Sequence, residues 1–294
     1  MSEGSRYSWG ADEHLVVQID EAMSLTANFR AMAMSSRLAE RALPGVTDIC
    51  PANASLLIRF DPDVLPPDRL QPVVEAIEEE VLAAPSLHLP TRIVEIPVWY
   101  NDAYTNQVGK KFRDRHQRPQ GNDVDYAVEQ TGAGSVEAFV KQHSESPWLV
   151  SMVGFVAGLP FMFQMVERSR QIELPKYLRP RTETPALTVG HGGCFACIYS
   201  VKGAGGYQMF GITPVPIYDP QQQHAIFASS MVLFRPGDIV KFRPIDEEEY
   251  TETRARVEDG SYTYRMADVD FVLDDFLAAP DAYNHTLLGA LDAR

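Results

Sequence analysis

The residues best equipped for chemistry lie between positions 143 and 211. His143 falls at the end of a predicted helix, where the helix dipole favours a cation, and an imidazole titrating near neutrality suits a general base. His191 sits among glycines in the stretch Gly190-His-Gly-Gly193. Lys176, Arg179 and Arg181 cluster shortly before it. Such cations can receive a carboxylate or a ureido-type oxygen, and can equally form a solvated basic patch. Nine of the 19 glycines fall between Gly154 and Gly211, which marks this segment off from the rest of the chain. They stand in Gly154–Pro160, in Gly190–Gly193, in Gly203-Ala-Gly-Gly206-Tyr-Gln208 and at Gly211. Glycine lets the backbone approach a ligand and offer N–H groups to charge developing on a carboxylate or amide oxygen. The same residues also serve as corners of a β-barrel.

Other chemistries lack their motifs. There is no G-x-x-x-x-G-K-[ST] loop and no G-x-G-x-x-G between a strand and a helix, so neither a P-loop nor a Rossmann turn is expected. There is no G-x-S-x-G elbow and no H-E-x-x-H. Cys194 and Cys197 have CxxC spacing, but no second pair completes a tetrahedral zinc site. On a strand, positions three apart face opposite sides. Buried structural cysteines and no metal are expected.

The elements that must position these residues change character along the chain. Leu15, Val17 and Ile19 alternate as in a half-buried strand. Ser24 offers an N-cap to a helix carrying Leu25, Phe29, Met32, Ala39 and Leu43, stopped by Pro44-Gly45. Strands follow at Val46–Cys50 and around Leu56, Ile58 and Phe60. Leu70, Val74, Ile77 and Val81 form a helical stripe, with Pro72 placing the regular start of that helix near itself. Val94, Ile96 and Val98 form a last strand. The order, strand-helix-strand-strand-helix-strand, is the split βαβ, ferredoxin-like arrangement. Residues 101–122 are polar and basic and read as a solvated loop. Two short helices are expected near Asp123–Gln130 and Val136–His143.

From Trp148 onward short apolar runs alternate with glycine, as in a sheet-rich or barrel-like domain. Met231–Phe234 and Ile239–Phe242, around Pro236-Gly-Asp238, read as a hairpin. Residues 246–249 begin a charged surface helix. Phe271, Val272, Phe276 and Leu277 form an apolar tail that can pack on this chain or on a partner. The expected division is a ferredoxin-like domain over 1–100, a helical connector over 101–147 and a barrel with a helical tail over 148–294.

Bulk properties narrow the partners. With a formal net charge of −14 over 294 residues, the surface repels phosphate backbones and anionic membranes, so neither nucleic acid nor membrane is an expected partner. Three cysteines fit a reducing compartment better than a disulfide framework. The first fifteen residues hold no apolar stretch, so no secretory signal is expected and a cytoplasmic location follows.

Several segments together resemble a known family. They are Gly154–Pro160, Lys176-Tyr-Leu-Arg-Pro-Arg-Thr-Glu-Thr-Pro185, Gly190-His-Gly-Gly-Cys-Phe-Ala-Cys-Ile-Tyr199, Gly205-Gly-Tyr-Gln-Met-Phe-Gly-Ile-Thr-Pro214 and Phe234–Tyr250. In this order, over about residues 10–280, they resemble subunit 1 of allophanate-hydrolase-type carboxyltransferases. That family includes the B component of bacterial 5-oxoprolinase, a sporulation-kinase inhibitor and half of the carboxyltransferase region of urea carboxylase. The Lys176–Pro185 stretch and Cys197-Ile-Tyr199 lean toward the urea-carboxylase branch. The resemblance implies an α+β chain, with a ferredoxin-like βαββαβ domain followed by a cyclophilin-like β-barrel. It implies a homologous subunit 2 as partner, with the site near their junction. Motif positions carried over are His143, Lys176, Arg181, Gly192, Gly193, Tyr199, Gly205, Gly206, Tyr207 and Gln208, to which the glycine context adds His191. His143, Lys176, Arg181 and His191 are the candidate catalytic residues, and the others candidate substrate contacts.

Three functions remain open on this resemblance. The first is carboxyl transfer from carboxybiotin to a urea-like or amide nitrogen. No lysine follows a methionine, so biotin would arrive on a separate carrier protein, with a biotin carboxylase as a possible further partner. The second is an ATP-dependent lactam or amide hydrolase of the 5-oxoprolinase type, with ATP on another subunit. The third is a non-enzymatic kinase regulator. Departures bear on the choice. Gly211-Ile212-Thr213 stands where the family has Gly-Arg-Thr, which removes a charged donor. Ala157 and Ala204 replace frequent prolines. Cys194-Phe-Ala196 replaces the Gln-Thr-Gly of the oxoprolinase branch.

Overall fold

The computed structural model describes residues 4–293, in a mixed α/β fold that divides into two compact units. The first comprises the N-terminal residues through Pro90 together with Asp270–Ala279. Its elements are β1 (Arg6–Gly10), β2 (His14–Gln18), α1 (Leu25–Arg41), β3 (Val46–Ala52), β4 (Ser55–Phe60) and α2 (Pro67–Leu82). Ser24 caps α1 as its residue type predicts, its hydroxyl accepting from the Ala27 N–H at 3.1 Å. α2 begins at Pro67, one turn before the predicted start, and accommodates Pro72 inside the helix. Leu15, Val17, Leu56, Ile58 and Phe60 from the sheet meet Ala31, Met34 and Leu38 of α1 and Leu70, Val74 and Ile77 of α2 in one apolar core.

The antiparallel sheet runs in the order β1-β2-β4-β3. The strand around Val94–Val98, expected to complete it, is absent from it. Its edge place beside β2 is filled by β1, which the sequence reading missed although Tyr7 and Trp9 alternate with polar neighbours. The Glu78 carboxylate of α2 explains the docking: it accepts from the Tyr7 hydroxyl at 2.6 Å and pairs with Arg30 at 2.9 Å. The apolar tail is also accounted for within this unit. Phe271 packs against Phe29 at a ring separation of 5.0 Å and against Phe276 at 5.6 Å.

The second unit comprises Thr91–Val269 and the residues from Pro280 onward. It contains β5 (His88–Tyr100) from Thr91 on, α3 (Ala103–Lys111), α4 (Asp123–Thr131), α5 (Val136–Glu145), β6 (Trp148–Val153) and β7 (Pro160–Gln164). β8 (Arg181–Thr184), β9 (Thr188–Gly192), β10 (Phe195–Ile198), β11 (Gly203–Gly205) and β12 (Gln208–Ile212) follow. β13 (Ile239–Ile245), α6 (Glu247–Glu258), β14 (Met266–Val272), α7 (Leu273–Ala278) and α8 (Pro280–Gly289) complete the chain, with α7 in the first unit. Seven strands close on themselves in the order β12-β9-β10-β7-β6-β13-β5 and back to β12, with β14 flanking β5. Closure leaves no unpaired rim within the ring. Trp148, Val150, Met162, Val189, Ile198, Phe210, Val240 and Phe242 fill the interior.

These facts correct the expected boundaries. The division falls at residues 90 and 91 rather than after 100, because β5 pairs with β13 in parallel and with β12 across the closing seam. Residues 101–147 are part of the barrel unit and not a connector. The segment read as a solvated loop forms α3, capped by Asp102 through the Thr105 N–H at 2.8 Å, and a 3-10 turn at Arg113–Arg115. Its polarity misled because its charges have internal partners: Arg113 pairs with Asp123 at 2.8 Å and Arg115 donates to the Pro180 carbonyl at 2.6 Å. The predicted hairpin at 231–242 is not formed. Both sides of β13 are occupied by β5 and β6, and Asp238 is held by Arg92 at 2.9 Å. No helix among the described residues is long and apolar enough to cross a membrane.

At the seam, Gly211 pairs with Tyr100 and Ile212 with Trp99. A methyl group on Gly211 would collide with the Trp99 carbonyl oxygen and come within 2.9 Å of the Tyr100 Cα, both backbone atoms that cannot swing aside. Gly211→Ala is expected to lower stability by about 1–3 kcal/mol, the range for overpacking a close-fitted interior. A denaturant titration checks this, and an unchanged midpoint would contradict it.

Candidate functional site

A cavity of about 240 Å³ opens on the outside of the barrel wall. Phe161 of β7 and Cys197 of β10 form part of its floor, with Leu159 beside them. Tyr199, Tyr207 and Tyr177 supply aromatic walls, and Gly205, Gly206 and Pro180 the remainder. Lys176 stands over the Tyr207 ring, its Nζ 5.1 Å from the centroid. The exposed Phe155 also lines the cavity, in the left-handed conformation at φ 71°.

The glycines make this wall possible in a way the sequence reading did not anticipate. A Cβ on Gly192 would meet the Tyr207 ring at 2.5 Å, and one on Gly205 would overlap the Tyr199 hydroxyl. The missing side chains are thus the space in which the two tyrosine rings lie. Gly193 exchanges both backbone hydrogen bonds with Leu174, at 2.7 and 3.0 Å. Gly206 accepts from the Tyr177 N–H at 2.7 Å.

Behind the aromatic wall lies Arg181, with no exposed surface. Its Nε donates to the Thr184 hydroxyl at 3.3 Å, and its guanidinium stacks over the Tyr177 ring at 4.4 Å. Its two terminal nitrogens have no hydrogen-bond partner among the described residues. The Tyr199 hydroxyl lies near the guanidinium without meeting hydrogen-bond geometry. Burial pushes the Tyr177, Tyr199 and Cys197 groups to titrate higher than usual, while the Arg181 charge draws each of them back down.

A polar network that the sequence reading missed fixes Tyr177 from the far side. The Asp123 carboxylate accepts from the Tyr177 hydroxyl at 2.7 Å, from Arg113 at 2.8 Å and from the Met209 N–H at 2.8 Å. His116 packs edge-on to the Tyr177 ring at 4.6 Å. The Arg118 N–H donates to His116 Nδ1 at 2.8 Å, so Nε2 carries the proton and donates to Gln208 Oε1 at 2.9 Å. Gln208 Nε2 in turn donates to the Pro175 carbonyl at 2.7 Å. Of this network the sequence marked Gln208, through the family motif, and Asp123, at a helix start; His116 carried no signal.

The predicted site residues therefore separate. Lys176, Tyr199, Gly205, Gly206 and Tyr207 meet at the cavity, with Arg181 behind them. Gln208 acts one layer back. Gly192 and Gly193 contribute space and a turn without lining the cavity. His143 and His191 lie in the barrel interior, with no exposed surface, and as general bases for this cavity neither is placed to act. His143 stacks on Phe242 at 5.1 Å and lies 4.9 Å from Trp148, and its Nδ1 bonds the Tyr100 hydroxyl at 2.8 Å. His191 Nε2 faces the carbonyls of Ile172 at 3.0 Å and Gly193 at 3.1 Å, so it carries the proton. A glycine-flanked histidine looks identical in sequence whether its ring turns toward ligand or core.

The match to the carboxyltransferase domain model, subdomain C and D, runs over residues 5–228. The chain belongs to that family. It is 30% identical over 247 residues to the B component of 5-oxoprolinase from Bacillus subtilis, covering 81% of this chain and 92% of that protein. It is 26% identical over 277 residues to urea amidolyase of Saccharomyces cerevisiae, covering 92% of this chain but 15% of that much longer protein. The urea carboxylase of Kluyveromyces lactis shares the fold: TM-score 0.83 at 22% identity, over 99% of this chain and 26% of that one.

The buried histidines give the barrel a pH dependence. Desolvation holds His143 well below its ordinary titration range and lowers His191 to about 4. Both are neutral when folded, whereas the unfolded chain takes up protons below about pH 6.5. Their contribution is therefore complete above that pH and is lost as pH falls toward 4. For His191 the loss is about 3 kcal/mol. Melting temperature is expected to drop over this window, and His143→Phe to flatten the drop. An identical pH slope in the variant would show that His143 does not contribute to it.

Proposed function

We propose that the chain is one subunit of a heteromeric biotin-dependent carboxyltransferase acting on a urea-like or amide nitrogen. The observation that carries this reading is the cavity, where the family's motif residues Lys176, Tyr199, Gly205, Gly206 and Tyr207 form one aromatic-walled recess with a buried cation behind it. In this reading the first unit is ferredoxin-like, with β1 at the edge left by the missing last strand, and the barrel is cyclophilin-like.

The recess suits a flat ureido group. Tyr199, Tyr207 and Phe161 offer faces and edges to a planar ring, and Lys176 offers an ammonium at the opening. Carboxybiotin, carried on a separate protein, supplies the carboxyl group when it is bound. Lys176 and the Tyr199 hydroxyl would hold the carboxylate oxygens in place, and the aromatic walls would exclude water that competes with the amide nitrogen. No carboxylate or imidazole appears among the described lining residues. The base that takes the amide proton is therefore assigned to the partner, a homologous subunit 2. A biotin carboxylase is the corresponding supplier of the carboxylated carrier.

A second reading, a component of an ATP-dependent lactam hydrolase with ATP on another subunit, is favoured by the likeness to the 5-oxoprolinase B component over 92% of that protein. Affinity purification from cells co-expressing the genomic neighbours distinguishes the two. Carboxyl transfer predicts recovery of a subunit 2 homologue with a biotinylated protein. An unbiotinylated ATP-dependent partner in its place supports the lactam reading, and recovery of the chain alone counts against both.

A further inference from the structure

We propose that the cavity selects for a ligand bearing negative charge, and that Arg181 makes this selection through the tyrosine wall. The inference rests on reading the cavity as the ligand site and does not depend on biotin chemistry. A guanidinium is charged at every accessible pH, and burying one without a counter-charge is strongly unfavourable. Arg181 is fully buried, forms no ion pair among the described residues, and leaves both terminal nitrogens unsatisfied.

The neighbouring carboxylates are already committed. Asp123, which reaches the Tyr177 hydroxyl beneath the guanidinium, pairs with Arg113 at 2.8 Å. Glu183, two residues along β8, is held by Lys111 at 2.7 Å and Lys202 at 3.4 Å. The Arg181 charge is consequently not cancelled on its own side of the wall.

Its field acts on the cavity side. Tyr177 and Tyr199 line the cavity and feel the guanidinium, as does the Cys197 thiol in the floor. Gly205, which also lines the cavity, stands opposite Arg181 in the β11–β8 pairing, and its missing side chain lets the Tyr199 hydroxyl settle between strand and cavity. A Tyr199 hydroxyl polarised by the cation behind it is a stronger donor to an anion in front. Lys176 adds a second positive charge at the opening. A neutral ligand of the same shape gains from neither charge, and an anionic one gains from both.

Benzoate and benzamide test this, being flat, nearly isosteric and different in charge. Their affinities for the purified chain are measured by ligand-observed NMR at fixed ionic strength, in the wild type, Arg181→Met and Tyr199→Phe. The wild type is expected to prefer benzoate by at least about tenfold, Arg181→Met to cut that preference at least about threefold, down to the part Lys176 supplies, and Tyr199→Phe to reduce it at least about threefold with melting temperature little changed. If Arg181→Met does not fold, the Tyr199→Phe result decides. Equal binding or no binding of both ligands by the wild type, or a preference that neither substitution reduces, overturns the inference. A charge preference in a chain that recovers no biotinylated partner would leave the inference standing while the carboxyl-transfer reading fell.

Discussion

The second unit depends on one seam. The strand Thr91–Tyr100 must lie parallel to β13 on one side and antiparallel to β12 on the other, and backbone contact at Gly211 is so close that only a residue without a side chain permits it. With the seam closed, the interior becomes a buried aromatic core that can hold His143 and His191 as neutral rings. With it open, the same strands would expose unpaired edges and hydrate those imidazoles. Closure also fixes the curvature of β7 and β10, whose Phe161 and Cys197 line the cavity.

That outer face is organised by absence. Gly192 and Gly205 leave gaps the size of a tyrosine edge, Tyr207 and Tyr199 occupy them, and the rings become walls whose positions are set by backbone rather than by flexible side chains. Behind them, Asp123 binds Tyr177, and Tyr177 carries the Arg181 guanidinium on its ring. The charge is held by stacking and not by salt bridge, which is why it remains available to the other side of the wall. Lys176, Tyr199 and Tyr207 line the cavity, while Asp123, His116 and Gln208 reach it only through the groups they hold.

Much of this was legible in the chain, and the failures share a cause. Ser24, Pro44-Gly45 and the alternation in β2 and β4 announce themselves because capping, breaking and period-two burial are local effects. The glycine-rich segment stood out as either a ligand-facing backbone or a set of barrel corners, and at Gly192 and Gly205 the structure adds a third use, room for tyrosine rings. What could not be read is long-range choice. Val94, Ile96 and Val98 alternate correctly for a strand, but no local pattern says which sheet will take them. The basic residues at 113 and 115 look solvated until Asp123 and the Pro180 carbonyl arrive from elsewhere in the chain. His143 and His191 carry the composition of a base and the placement of a core residue, and only the closed barrel distinguishes the two.

The shared strand also sets a timetable. Thr91 bonds the carbonyl of Gly237, 146 residues downstream, and the parallel ladder beside it continues to Ile245. A ribosome delivering the chain has finished the whole first sheet and its two helices, and most of the barrel's strands, before the residues that lock β5 in place emerge. Until then β5 waits with an unpaired flank, and loop-closure entropy makes such distant pairing slow. The nascent barrel therefore passes through an interval in which the β13-facing flank of β5 is open to the wrong neighbour.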